Sequence, residues 1–309
     1  MSSPRQVIPG DTSFVSRRCF DRLFLLRPDD YVTKVFLYCL GYAAGMCNIL
    51  IHGFVAMSNH FHLLLTDPDG RLPEFMERFD SLVARALNAH WGRWESFFAP
   101  GSYSAVRLQT FEDCMSKLVY ILTNPVLAGL TDHARRWTGA TSVRWGYGES
   151  RTFSRPDGGF FRSSSALPAE VTLRLAPLPG FEARAAELDE LVRERVIGRE
   201  TEIRAQFAAE GRPFKGMDEV LRCDPEDRPR TREPRRRMNP RVAGADPDVR
   251  LAAIAGLTSF RRDYRRARQE YLGGNRAVVF PAGTWLMRVR FGVTCAPTPC
   301  VAVQPPAPS

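Results

Sequence analysis

Two short stretches of this chain combine residue types that do chemistry at spacings that would let them act together. The first is His60-Phe61-His62. Side chains two apart on a β-strand leave the same face, so an extended backbone here sends both imidazoles one way and Phe61 the other. Two imidazoles held together on a sheet are half of a first-row divalent metal site; the plainer alternative is a pair of partly exposed histidines. The second stretch holds Tyr120. If a helix starts at Thr110, Phe111, Met115, Leu118 and Leu122 form its apolar stripe, and Tyr120 falls off that stripe beside Ser116, Lys117, Thr123 and Asn124. A phenol in polar company is placed either to meet a substrate or to cover a neighbouring helix. Asn124 stands one turn after Tyr120, where its amide oxygen could join a metal shell. It could equally cap the helix C-terminus, and Pro125 biases it away from helical backbone.

These side chains need elements to hold them. Thr12 to Phe20 alternates roughly and reads as a first strand. Pro28-Asp29-Asp30 opens a helix that runs to about Asn48, with acids in the first turn where they complement the helix dipole. Ile49–Met57 and Phe61–Thr66 read as a hairpin turning near Ser58-Asn59. Leu72 to about Trp91 carries an unbroken apolar stripe, with Pro73 tolerated in its first turn. A short strand over Tyr103–Leu108 leads into the Tyr120 helix, whose start has Thr110 and Asp113 at capping-box spacing. Strand, helix, strand, strand, helix, strand, helix is the order of an α+β sandwich: an antiparallel sheet with helices packed on it.

The residues around both stretches resemble a known family. Met57-Ser-Asn-His-Phe-His-Leu-Leu-Leu is similar to the HUH strand of the REP-associated tyrosine transposases, in the HUH single-tyrosine superfamily. Tyr120-Ile-Leu-Thr-Asn-Pro-Val-Leu-Ala-Gly-Leu is similar to their nucleophile helix, and the two motifs stand in the family's order. Ser58 departs from the proline common there. The resemblance covers roughly residues 5–147. It implies a ferredoxin-like fold, His60 and His62 as metal ligands with Asn124 as a further one, and Tyr120 as nucleophile. It also implies Mg²⁺ or Mn²⁺ as cofactor and single-stranded or hairpin DNA as partner, cut and rejoined through a 5′-phosphotyrosine. Phe280-Pro-Ala-Gly-Thr-Trp-Leu-Met-Arg is similar to the tails of longer members.

Bulk properties fit a DNA-handling protein without requiring one. The net charge is +9, and its excess lies late: residues 1–150 hold 15 Lys or Arg against 14 Asp or Glu, residues 151–309 hold 28 against 20. Only three of the basic residues are lysines, a bias that an arginine-rich genome composition also produces. Besides Lys117, the expected DNA contacts are therefore Arg235, Arg236 and Arg237 in a basic strap and Arg261, Arg262, Arg265 and Arg266 on a late helix. Trp91, Trp94, Phe97 and Phe98 could stack under bases, or pack on the core.

The domain reading is a catalytic domain over 1–150, a Gly-, Pro- and Ser-rich linker over 151–180, and a basic, partly helical extension over 181–309, with helices near 182–209 and 248–272 and a strand-like end over 278–293. No segment reaches the roughly 20 apolar residues of a membrane span, and the polar N-terminus is no signal peptide, so the expected location is the cytoplasm, with no membrane partner and a homodimer as one expected state. Seven cysteines with no CxxC pair argue against a disulfide framework or a structural zinc cage. His52, His90 and His133 read as structural, with His52 near enough to the hairpin to reach the site. Two rival functions remain: a nucleic-acid-binding regulator that has lost catalysis, and a metal-dependent hydrolase in which Tyr120 is incidental.

Overall fold

The computed structural model describes residues 4–162, 164, 166–231 and 241–298. Its centre is a β1-α1-β2-β3-α2-β4 unit: β1 (Asp11–Arg18), α1 (Asp30–Cys47), β2 (Leu50–Met57), β3 (His60–Asp67), α2 (Leu72–Trp91) and β4 (Ser104–Leu108). The strands lie in the order β2-β3-β1-β4, all antiparallel, with a two-residue strand β7 (Val242–Ala243) added in parallel to β4. This is the ferredoxin-like α+β sandwich expected from the sequence, made mixed by β7.

Strand alternation divides the side chains between two layers. Phe61 turns to the α1/α2 side, where it meets Phe36 and Phe79 edge to face at 5.6 and 5.2 Å. His60 and His62 turn to the other side, which α3 (Phe111–Leu127) covers. Helix α1 starts where the Asp29 carboxylate accepts the Val32 amide at 2.9 Å, and α3 starts on a complete capping box. The Thr110 hydroxyl accepts the Asp113 amide and the Asp113 carboxylate accepts the Thr110 amide, so aspartate serves where glutamate is usual.

Close approach of α3 to the sheet depends on Gly53. A Cβ there would meet Leu118 Cδ1 at 2.5 Å, so only hydrogen allows this helix to lie where it does. Pro125 neither ends nor caps α3. Its missing N–H costs one helical bond, yet the helix continues to Leu127, and the Pro125 carbonyl accepts the Leu130 amide at 2.9 Å.

Residues 151–180 are not a linker. β5 (Ser150–Ser154) and β6 (Glu170–Arg174) pair antiparallel, and the hairpin lies on α1, close enough that a Cβ on Gly41 would sit 3.1 Å from Val171. Val171, Leu173, Leu175, Leu178 and Phe181 belong to the main apolar core. Alternation over Val171, Leu173 and Leu175 was the strand signal, obscured by the Gly, Pro and Ser residues that precede it.

Helix α4 (Ala185–Ala209) runs along α3 and buries Leu188, Val192, Val196, Ile203 and Phe207 in one stripe. A short α5 (Met217–Arg222) follows, then β7 and α6 (Pro247–Leu272). The end, expected to be strand-like, instead contains a helix α7 (Leu286–Phe291), and Phe280, Met287, Val293 and Ala267 make a small core against α6. Among the described residues, no helix is long and apolar enough to cross a membrane. Cys19, Cys39, Cys47 and Cys114 are buried free thiols.

Candidate active site

The site is built from β1, β3 and α3. Register places Arg18 opposite His60 and Ser16 opposite His62, with Ser104 of β4 opposite Ser16, so these side chains share one face. The two imidazoles lie with ring centroids 4.7 Å apart. His62 is also 5.4 Å from the ring of Tyr120, and Phe14 stacks on it at 5.0 Å, so the three rings form one cluster. Tyr120 is 37% exposed and is held edge-on by Phe14 at 6.0 Å, which fixes the ring while leaving the phenol open. Lys117, one turn earlier, sets its ammonium 6.0 Å from the centre of the Tyr120 ring.

The histidines differ in their partners. His60 Nδ1 lies 2.7 Å from the Asn59 side-chain oxygen. An amide oxygen only accepts, so Nδ1 carries a proton, and when the ring is neutral its lone pair is on Nε2. His62 is buried, and neither ring nitrogen has a hydrogen-bond partner. Burial, then the charges of His60 and Lys117, push its pKa well below the ordinary value, so it is neutral at physiological pH. A neutral, unsatisfied, buried imidazole has a lone pair to give.

His60, His62 and Tyr120 open into a groove of about 1350 Å³. Its basic wall comes from Arg17, Arg18 and Arg22 of the first strand and the turn after it and from Lys215 before α5, which sequence reasoning did not single out, and from Arg228 and Arg230, the first residues of the basic strap expected over 228–241. That segment is tied down opposite the sheet. Phe24 donates its amide to the Asp227 carbonyl at 2.9 Å, Arg22 donates to the Thr231 carbonyl at 2.8 Å, and Arg228 pairs with Asp21. Asp21 and Arg22 both adopt positive φ, 47° and 63°, a strained conformation that these anchors hold. Arg17, Arg18 and Arg22 sit in a stretch whose charge is nearly balanced, so composition by halves hid them.

Other expected contacts fall elsewhere. Asn124 is buried inside α3 and does not line the groove; Thr123, beside it, is buried too and donates its hydroxyl to the Val119 carbonyl at 2.8 Å. The polar face read from the helix period is thus exposed at Ser116 and Tyr120 and half-exposed at Lys117 but closed at Thr123 and Asn124, because the chain after α3 folds back over its end. Arg261, Arg262, Arg265 and Arg266 lie on α6 and none lines the groove. Arg235, Arg236 and Arg237 lie outside the described residues. Phe97 and Phe98 are core residues and Trp91 donates to the Leu25 carbonyl, whereas Trp94 is 96% exposed. His52 is structural: it is buried, bonded to the Ala176 carbonyl at 3.0 Å and to Thr66 at 2.8 Å. Among the described residues, no group of three or more His, Cys, Asp or Glu could hold a metal ion.

No protein-family model matches the chain, and no curated protein matches it. Among solved structures, a candidate transposase from Deinococcus radiodurans R1 is similar over 34% of this chain and 85% of its own, with 20% identity and a TM-score of 0.28. A REP-associated tyrosine transposase bound to a REP hairpin is similar over 46% of this chain and 82% of its own, with 16% identity and a TM-score of 0.39.

Proposed function

We propose that this protein is a metal-dependent transposase or endonuclease that cleaves and rejoins single-stranded DNA near hairpins, with Tyr120 as the nucleophile. The observation that carries the reading is the juxtaposition of an exposed phenol with a buried, neutral, unpartnered imidazole, His62, at the floor of a basic groove. A structural histidine satisfies its ring nitrogens, as His52 does here.

His60 and His62 would hold a divalent cation. Two imidazole ligands would suit Mn²⁺ better than Mg²⁺, which favours an all-oxygen shell. Such an ion would supply Lewis-acid polarisation of the scissile phosphate. The chain's residues do the rest. Arg18, Arg22, Arg228 and Arg230 bind the backbone and Phe14 holds the Tyr120 ring. Tyr120 Oη gives up its proton and bonds to phosphorus as the P–O3′ bond breaks; the departing 3′ oxygen takes a proton. The products are a 5′-phosphotyrosine and a 3′-OH, and attack by a 3′-OH on the adduct reverses the step and joins strands. Lys117, with its ammonium 6.0 Å from the centre of the ring, adds positive charge beside the nucleophile. Asn124 as a further ligand would require the end of α3 to open, since it lies buried outside the groove.

The test is incubation of the full chain with end-labelled hairpin oligonucleotides and Mn²⁺, read as a protein–DNA adduct that survives denaturing electrophoresis. Wild-type protein should form it, and Tyr120→Phe and chelator should each abolish it. Cleavage to free 5′-phosphate ends without an adduct would support the hydrolase reading instead, and binding without cleavage the regulator reading.

A further inference from the structure

The opposite face of the sheet, at the far end of its strands from His60, carries a second basic cluster. Asp11 and Ser13 of β1 have the other parity from Ser16 and Arg18, so they face the α1/α2 layer. From Arg18 to Asp11 the strand runs about 23 Å. Around that end, Arg5, Arg107, Arg241 and Arg261 line a small cavity of about 60 Å³ together with Asp11 and Asp67. One water needs about 15 Å³ on this measure, so there is room for a group of several heavy atoms but not for a base.

The partners of these groups are unequal. Arg107 pairs with Asp11 at 3.3 Å. The Asp67 carboxylate accepts the amides of Arg71 and Leu72 at 2.8 and 2.7 Å. Arg5 spends one guanidinium nitrogen on the Tyr103 carbonyl at 2.9 Å and on Ser102. Arg5 Nη1, Arg241 Nη1 and Arg261 Nε are buried, and none has an acceptor among the described residues. Arg241 feels burial first and then the like charges of Arg5 and Arg261, which lower its pKa. Folded proteins rarely bury guanidinium N–H groups unpaired, and these three belong to residues that line one cavity and find no acceptor among the described residues. The wall carries four guanidiniums against two carboxylates, an excess that matches a dianion. Guanidinium forks fit phosphoryl oxygens in particular.

We propose that Arg5, Arg241 and Arg261 form a second anion site, on the face of the sheet away from Tyr120, that binds a phosphoryl group. Its source is a backbone phosphate of bound nucleic acid, which rests on the function proposed above, or free phosphate, which does not.

The probe is inorganic phosphate titrated calorimetrically into the full-length protein. The expected result is saturable binding that Arg241→Gln and Arg261→Gln each weaken by roughly tenfold or more, the loss of one charged hydrogen bond. Arg241→Lys and Arg261→Lys keep the charge and should weaken it less, and Tyr120→Phe should leave it unchanged. A wild-type protein with no saturable phosphate binding overturns the proposal, whether or not the variants fold, as do folded glutamine variants that bind like wild type. Competition by an oligonucleotide would assign the site to nucleic-acid backbone, and phosphate binding that an oligonucleotide leaves untouched would assign it to the free anion; either result retains the site. Because the readout is phosphate binding, failure of Tyr120 to form an adduct leaves this test intact.

Discussion

At the residue scale, His62 costs the folded protein free energy in the absence of a ligand. Two buried nitrogens without partners carry a desolvation penalty of about 1–3 kcal/mol that no contact offsets. His62→Phe replaces them with carbon and can keep the stack on Phe14. The variant should be about as stable as the metal-free wild type or up to about 1 kcal/mol more stable by denaturant unfolding, yet cleave no DNA. A strongly destabilised variant, or an active one, would mark His62 as a structural residue. His52 makes the opposite case. The Ala176 carbonyl accepts, so Nδ1 donates to it and Nε2 accepts from Thr66, a pattern that only the neutral ring satisfies. Burial lowers its pKa to about 4. Above pH 6.5 neither state is charged and the residue adds no pH dependence. Below it the unfolded chain takes up a proton that the folded one refuses, and stability falls until the pH reaches the folded value. Wild type should therefore lose about 3 kcal/mol relative to His52→Gln between pH 6.5 and 4. Parallel stability profiles for the two proteins would contradict this.

At the element scale, the site depends on how closely α3 lies on the sheet. Gly53 sets that distance, and Leu118, its neighbour, is two residues from Tyr120. Gly53→Ala should cost about 1–3 kcal/mol through overpacking and should lower adduct formation more than the stability loss explains, because the shift moves the phenol away from His62. Unaltered cleavage by the folded variant would show that the phenol tolerates displacement. Most of these elements were legible in the sequence because each has a local cause: Asp29 and Thr110 mark helix starts, the stripe from Leu72 to Leu87 marks α2, and His60-Phe61-His62 reveals its parity by residue type. Asn124 was not legible. Its burial comes from chain that follows Pro125, and neither helical period nor proline statistics record what later packs on a helix. The end of the chain was misread for a similar reason, since Leu286–Phe291 has strand-forming residues that a tertiary contact with α6 holds as a helix.

At the scale of the whole molecule, the regions before and after residue 150 are not separable. The β5–β6 hairpin and the start of α4 place Val171, Leu173, Leu175, Leu178, Phe181 and Leu188 in the same core as the sheet. A chain ending at residue 150 exposes their counterparts on α1 and α3 and should aggregate or lack a cooperative unfolding transition, as judged by circular dichroism and calorimetry. A cooperatively folded short chain would show that the later residues merely decorate the sandwich. The sequence pointed to positive charge in the second half, but the groove draws its basic wall from both: Arg18 and Arg22 before residue 150, Lys215, Arg228 and Arg230 after it. Only tertiary structure brings those together, because α4 carries the chain along α3 and returns it at α5 over the site.

The role of Tyr120 is tested most directly by the chemical identity of the residue that attacks DNA. Digestion of the wild-type adduct with protease and nuclease, followed by mass spectrometry of the modified peptide, reads that residue. The expected product is a single peptide with a 5′-linked nucleotide on Tyr120, absent when chelator is present during the reaction. A nucleotide on any other residue, or cleaved DNA with no modified peptide, would contradict the assignment of Tyr120 as the nucleophile.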